Sequence, residues 1–398
     1  MSRSQRDRRP NAPEVQRLDL KEGNYVKRII LFACALAVGA AAFAYALNTM
    51  LTPPKGWQMI EVTTRTTAAQ EIILKYNFDQ AEDVASEKRQ ITTLYSEALQ
   101  SAAAQLDCNE AENNVNLHTI SAQPNTSVTV GKELYQALCS WQKTGSRALY
   151  YAPLYSRYNA LFACENDEDA SLYDPERNPE AAAYVTALMK YLNSEDHIRL
   201  ELLGNDQVML HVSQEYLDFA RENELPELLD FGWAKNAFVV DLVAQTLLEQ
   251  GMDRGVFFTV EGFSRCMYEV PVSAYLMENA PGGARKIATG IYTGPKSLAI
   301  LCGFPVSQEE TRFYSYEDGT ILGPYIDKIS GFLKSGNESL VTFDDGPLGP
   351  AALKALEAMA AGKAPEGKCM YSRGNAVICT DPDVRISWLQ DDYALQRK

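Results

Sequence analysis

Residues 228–251 read Leu228-Leu-Asp-Phe-Gly-Trp-Ala-Lys-Asn-Ala-Phe-Val-Val-Asp-Leu-Val-Ala-Gln-Thr-Leu-Leu-Glu-Gln-Gly251. The stretch opens as a short extended run, turns at Gly232, and continues as one long helix. Val240, Val243, Ala244, Leu247 and Leu248 follow the i, i+3, i+4, i+7, i+8 spacing of a core-facing stripe, with Asp241, Gln245 and Glu249 opposite. Gly251 follows the last periodic residue, where a left-handed cap commonly ends a helix. Val256-Phe-Phe-Thr-Val260 comes next, with strong strand character, and Glu261-Gly262 ends it. A helix followed by a buried strand is half of a βαβ unit, so an α/β or α+β body is expected, its sheet behind this helix.

Working outward, the 398 residues are 46% hydrophobic, enough for one large or two modest domains. Ile29 to Leu47 stands apart as an uncharged, mostly apolar run long enough to cross a bilayer, roughly 30 Å at about 1.5 Å per residue. Residues 1–28 carry eight Lys/Arg and four Asp/Glu, with Lys27-Arg28 at the edge of the run. The positive-inside rule then places the N-terminus in the cytoplasm and the body outside, as a single-pass protein of the cell membrane. A cleaved signal peptide is the alternative, with Ala44-Tyr-Ala46 as its processing site. The expected organisation is a basic tail at 1–28, an anchor at 29–52, a linker at 53–65 and the body at 66–390.

Without the tail, 29 basic residues face 48 acidic ones (37 − 8 and 52 − 4), a balance of −19 that repels phosphate backbones. Nucleic acid is thereby excluded as a natural partner. Seven cysteines follow the apolar run: Cys108, Cys139, Cys164, Cys266, Cys302, Cys369 and Cys379. None has CxxC spacing, so neither a zinc site nor a redox pair is indicated. Cys369 and Cys379 flank the turn Ser372-Arg-Gly-Asn375 and are candidates for a disulfide, and reduced, buried cysteines are the other reading.

Along the chain, a strand is expected at 71–78, helices at 86–106, 132–143, 181–192, 214–223 and 351–360, and an irregular segment at 108–127. Gly204-Asn-Asp206 is the turn of a hairpin over 198–203 and 207–212. Strands are also expected at 266–272, 297–302, 312–316, 339–343 and near Val377 and Val384, and Glu165-Asn-Asp-Glu-Asp169 is a solvated acidic loop. Ser140-Trp-Gln-Lys143 and Lys143-Thr-Gly145 spell two penicillin-binding motifs but share a lysine, which that active site does not allow. Gly262-Phe-Ser-Arg-Cys266 lacks the last glycine of a nucleophile elbow. His118, His197 and His211 have no metal-ligand spacing, and no phosphate-binding glycine loop occurs.

The opening stretch resembles the Asp-Leu-Gly-Gly-Ile-Ala-Lys-Gly-Tyr-Ala-Val-Asp signature of the FAD:protein FMN transferases. Asp230, Gly232, Val240 and Asp241 match in place; Lys235 stands one position early, and Asn236 and Ala237 occupy the Lys and Gly positions. Further along, Glu261-Gly262 stands for a Gly-Gly pair, Leu301-Cys302-Gly303 for Thr-Ser-Gly, and Pro324-Tyr-Ile-Asp-Lys-Ile-Ser-Gly331 for His-Ile-Ile-Asp-Pro-Arg-Thr-Gly. Pro350-Ala-Ala-Leu-Lys354 falls at the late Asp-Ala-Leu-Ser-Thr motif, whose aspartate and threonine hold magnesium in the family. The resemblance spans roughly residues 66–386.

It implies an α+β, flavin-transferase-like mixed sheet with packed helices, preceded here by the N-terminal transmembrane helix. It implies FAD as substrate and magnesium as cofactor, with a Ser/Thr of an extracytoplasmic flavoprotein as the target. Asp230, Gly232, Lys235, Asn236, Asp241, Gly262, Gly303 and Gly331 are the implied flavin-binding positions. Asp327 is the candidate base, and Asp344 and Asp345 are the nearest substitutes for the magnesium ligands. Breaking a pyrophosphate needs positive charge on the developing phosphate and a base for the incoming hydroxyl. Because the motif histidine and magnesium ligands are replaced, two readings follow: an FMN transferase, or a catalytically inactive domain that binds flavin or a protein partner. A cell-envelope interaction domain unrelated to flavin is a third. Read without the resemblance, Asp230 caps a helix start and Asp241 lies on a solvated stripe.

Overall fold

The computed structural model describes residues 25–51, 54–63, 66–111, 114–225, 227–294, 296–307, 310–364 and 367–397. The basic tail through residue 24 and parts of the expected linker lie outside the described residues. The chain divides into two units, Met1–Pro54 and Lys55–Lys398. The first contains the 27-residue helix Tyr25–Leu51, which covers the apolar run. The described side chains of this helix span residues 29–44, and among the described residues no helix is long and apolar enough to cross a membrane. Membrane spanning therefore stays a reading of the sequence.

The second unit is built on a nine-stranded sheet among the described residues. Its spatial order is Trp57–Ile60, Ile72–Asn77, Gly255–Thr259, Phe263–Cys266, Ser297–Cys302, Ser339–Asp344, Lys368–Arg373, Ala376–Cys379, Ala394–Arg397. All neighbours are antiparallel except the last two strands, which are parallel. The class is the expected α+β mixed sheet with packed helices. The βαβ expectation does not hold: the run before Gly232 forms no strand, and the long helix returns the chain to an antiparallel ladder.

Three helices, Val84–Gln105, Lys235–Glu249 and Leu348–Ala361, cover one face of the sheet. The central one, Lys235–Glu249, is buried beyond its predicted stripe: Ala237, Phe238, Val239 and Leu242 are also interior, whereas Leu248 is 39% exposed. Phe238 lies against Gly349 so closely that a Cβ there would meet its ring at 2.6 Å. That contact lets the central and last helices pack at short range. The other face is covered by the hairpin Pro271–Ala280 and Gly283–Thr293 with Arg385–Leu389, burying Ala274, Leu276, Ile287 and Ala288 against Leu298, Val341, Phe343 and Met370. Strands Ser297–Cys302 and Ser339–Asp344 are consequently buried on both faces, which explains their mostly apolar centres, Leu298 to Leu301 and Leu340 to Phe343.

The hairpin over Ile198–Gly204 and Gln207–Val212 forms as expected, with Asn205 and Asp206 at φ 52° and 58°, the left-handed pair of a type I′ turn. Ser127–Thr129 pairs with it as a third strand. Three local expectations are corrected. The segment 108–127 contains the helix Leu117–Ala122, started by a capping box between Asn116 and Thr119. The acidic loop is the short helix Asp167–Ser171, and the Asp167 carboxylate accepts from the Tyr314 hydroxyl at 2.9 Å and the Glu317 N–H at 3.0 Å. The strand expected at 266–272 is two strands, Phe263–Cys266 and Pro271–Ala280, which belong to different sheets.

Cys369 and Cys379 do not form a disulfide. In the ladder Met370 is opposite Cys379, so Cys369 points to the helix-covered core and Cys379 to the core under the small sheet. Side chains on opposite faces of a sheet cannot reach the Cβ separation of about 3.8 Å that the bond requires. Peptide mapping of the purified, unreduced protein should therefore find no Cys369–Cys379 crosslink, and such a crosslink would contradict the register.

Candidate functional site: a cleft at the edge of the helix layer

The end of Gly255–Thr259 leads through Val260, Glu261 and Gly262 into Phe263–Cys266. Gly262 has φ +88°, and a Cβ on it would stand 2.2 Å from the Ile300 carbonyl oxygen. Only glycine permits both the left-handed backbone and this approach. The turn thereby sits beside strand Ser297–Cys302, and the two border a cleft of about 330 Å³. Tyr275, Phe304, Phe313 and Tyr325 give it aromatic walls, and Glu261, Glu310 and Arg312 supply its charges. The Arg312 guanidinium donates to the Val260 carbonyl at 3.0 Å and to Glu310 at 3.1 Å, while the Tyr325 hydroxyl donates to the Cys302 carbonyl.

Three of the segments singled out in the sequence meet here: Glu261-Gly262, Leu301-Cys302 and Pro324-Tyr325. Gly303 follows directly, its N–H on the Glu338 carbonyl, with the Asn337 oxygen 2.9 Å from where a Cβ would be. Asn236 stands behind the cleft wall, 3% exposed, its Nδ2 donating to Glu261 Oε1 at 2.7 Å and to Glu71 Oε2 at 2.8 Å.

The other candidate positions do not line the cleft. Asp230 accepts from the Gly232 N–H at 2.9 Å. Burial pushes its carboxyl above the usual range, while that N–H and the nearby Lys235 ammonium pull back. Gly232 has φ +54°, and a Cβ would overlap the Tyr155 ring at 2.2 Å, so this glycine is a packing requirement. Asp241 is not on a solvated stripe. Its two oxygens accept from the Leu348 N–H at 2.8 Å and the Gly349 N–H at 2.7 Å, and Arg265 Nη1 lies 3.0 Å away. It therefore closes the N-terminus of helix Leu348–Ala361.

Asp327 forms a turn. One of its oxygens accepts from the N–H groups of Ile329 and Ser330, each at 2.9 Å, and from the Ser330 hydroxyl at 3.2 Å. Gly331 at φ +77° completes that turn, packed against Met189 and Val185 and receiving the Tyr158 hydroxyl on its carbonyl. A carboxylate so held is a poor fit for a base. Asp344 and Asp345 do not converge as metal ligands either: Asp344 accepts from the Gly346 N–H at 2.6 Å and faces Lys354 at 4.0 Å, while Asp345 faces Lys368 at 3.5 Å. The pair does not fit magnesium, and among the described residues no group of three His, Cys, Asp or Glu side chains is placed to hold a metal.

Arg265 and Glu71 were missed in the sequence. Arg265 sat in a motif rejected for other reasons, and Glu71 carries no local signal. Glu261 was visible as a carboxylate in a glycine position.

No family model matches the chain, and no curated protein matches it in sequence. Among solved structures it is similar to the ApbE protein from Thermotoga maritima, at 14% identity and TM-score 0.51, covering 80% of this chain and 94% of that one. It is also similar to the flavin transferase ApbE from Vibrio cholerae (13% identity, TM-score 0.48, 85% and 99% covered) and to a histidine-to-glycine mutant of that protein (14%, 0.46, 81% and 94%). The body thus has the flavin-transferase-like fold that the motif order implied, in a strongly diverged form.

Two outcomes follow from this geometry. Asp241→Ala should cost about 3 kcal/mol, because it strips a helix terminus and leaves the Arg265 charge largely buried without its partner. A lower urea midpoint at unchanged slope would register this. For Asp327, burial raises the carboxyl, but the Ser330 and Ile329 N–H groups outweigh it and hold the group below its usual range. A depressed folded value gives stability that is full above about pH 4 and lost as pH falls through that value. Asp327→Ala should cost about 1 kcal/mol at pH 7, and the difference from the parent protein should close in acid.

Proposed function

We propose that the chain is a non-catalytic, flavin-binding member of the flavin-transferase-like fold that receives the ligand's aromatic ring system in the cleft between Glu261 and Tyr325. The observation that carries this reading is a contrast within one site. The cleft keeps its aromatic walls, whereas the side chains expected to do chemistry are committed elsewhere: Asp327 to its own turn, Asp344 and Asp345 to separate backbone and lysine partners. Pro324 occupies the motif histidine position and supplies neither a base nor a donor. The flavin assignment rests on the motif order and the fold, and a cleft of this size lies within the range of small-molecule sites.

We also propose that helix Tyr25–Leu51 is a single-pass anchor with its basic tail in the cytoplasm and the body outside, in reach of envelope flavoproteins. The apolar run and the eight basic residues before it support that orientation. The full chain should then remain with membranes after carbonate extraction, and a chain beginning at residue 56 should not; release of the full chain would overturn the anchor.

The binding test is thermal unfolding of the full chain with riboflavin, FMN and FAD, each with and without magnesium, alongside assay of AMP release. Ligand at a hundred times its dissociation constant stabilises by about 2.7 kcal/mol. Saturable stabilisation without AMP release is expected. Magnesium-dependent AMP release would show a working transferase instead. Absence of any response would leave an interaction domain that kept the fold alone.

A further inference from the structure

The wall behind the cleft holds an arrangement that neither packing nor the flavin reading explains. Glu71 ends the short helix Thr67–Glu71 at the start of strand Ile72–Asn77, and Glu261 leaves the neighbouring strand Gly255–Thr259. The Val260 N–H donates to the Glu71 carbonyl, which fixes the two residues side by side at the end of that strand pair. One amide, Nδ2 of Asn236, donates to both carboxylates, at 2.8 and 2.7 Å. The outer oxygens are left over: Glu261 Oε2 and Asn236 Oδ1 are both buried from solvent and have no hydrogen-bond partner.

Exchanging the amide's oxygen and nitrogen cannot repair this, since Nδ2 already faces two acceptors. No lysine, arginine or histidine among the described residues pairs with either glutamate, and Arg312, the arginine in the cleft lining, is held by Glu310 and the Val260 carbonyl. Asn236 is the second residue of helix Lys235–Glu249, whose N-terminus offers roughly half a positive charge against two carboxylates. Buried acceptors without donors are costly and uncommon in native proteins. The oxygens at issue are carboxylate and amide oxygens, the donor type that suits hard cations.

We propose that Glu71, Glu261 and the Asn236 side-chain oxygen form a site for a hard divalent cation, Mg²⁺ or Ca²⁺, at the wall of the cleft. The cation reaches the site from the cleft side, which Glu261 lines, and water completes its coordination. It gives partners to both orphaned oxygens and offsets the two carboxylates. It also turns the Glu261 end of the cleft from one that repels a phosphate into one that accepts it. The site is distinct from Asp344 and Asp345, and the proposal stands on the cleft wall, independent of flavin binding.

The test uses the full chain, stripped with EDTA and titrated with Mg²⁺, Ca²⁺ and Tb³⁺ alone, with no flavin present. Mg²⁺ or Ca²⁺ should raise the melting temperature saturably by a few degrees, and bound Tb³⁺ should luminesce on excitation of the protein's aromatic residues. Glu261→Gln keeps an acceptor for Asn236 but removes a charge, and should weaken binding at least tenfold. Glu71→Gln makes the same comparison if the first variant fails to fold. A parent protein indifferent to all three ions would overturn the site, as would equal binding by parent and variants. Riboflavin binding measured on the same samples separates the two ideas: a flavin response without a cation response sinks this inference alone, and the converse sinks the flavin reading alone.

Discussion

The carboxylate of Asp241 joins the three parts of the body that must agree for the cleft to exist. It projects from the central helix, receives the first two N–H groups of the last helix, and pairs with Arg265 on strand Phe263–Cys266. A helix terminus buried without acceptors is expensive, and an arginine buried without an anion more so. One side chain satisfies both and fixes the last helix over the sheet. Phe238 against Gly349 sets how closely the two helices approach. Arg265 stands three residues after Gly262, so the same interaction also orients the turn that makes the cleft wall.

The cleft follows from that placement. Gly262 bends the chain under the Ile300 carbonyl, and the strand beyond it leads towards Cys302 and Gly303. The aromatic side chains that wall the space come from four separate segments, and none is next to another in sequence. Two glutamates and an asparagine close the back with more acceptors than donors. The cleft is thus a product of the fold, while the conspicuous aspartates around it serve turns and a helix terminus, and a carboxylate, Glu261, stands at its wall.

Much of the scaffold was legible. The period of 3.6 in 240–248 and the β-branched run at 256–260 are local properties, and both elements formed where expected. The hairpin turn at Asn205-Asp206 was equally local. Pro271–Ala280 with Gly283–Thr293 was not legible, because charges and glycines in its second strand interrupt the apolar alternation, although the pair is a local hairpin closing at Ala280 and Gly283. The disulfide between Cys369 and Cys379 failed for a related reason: sequence distance suits a hairpin, but the register puts the two residues on opposite faces.

The sequence by itself determined the elements, the charge balance, the apolar N-terminal run and the order of motifs, since each depends on residues within a few positions of one another. What each conspicuous side chain does was decided only by tertiary structure. Asp241 could be a solvated residue or a helix anchor until Leu348, Gly349 and Arg265 arrived from elsewhere in the chain. Asn236 and Glu261 became a pair, and Glu71 joined them, only when the sheet brought together positions 25 and 165 residues apart. Charged and polar groups take their roles from partners, and partners at that separation are chosen by the fold.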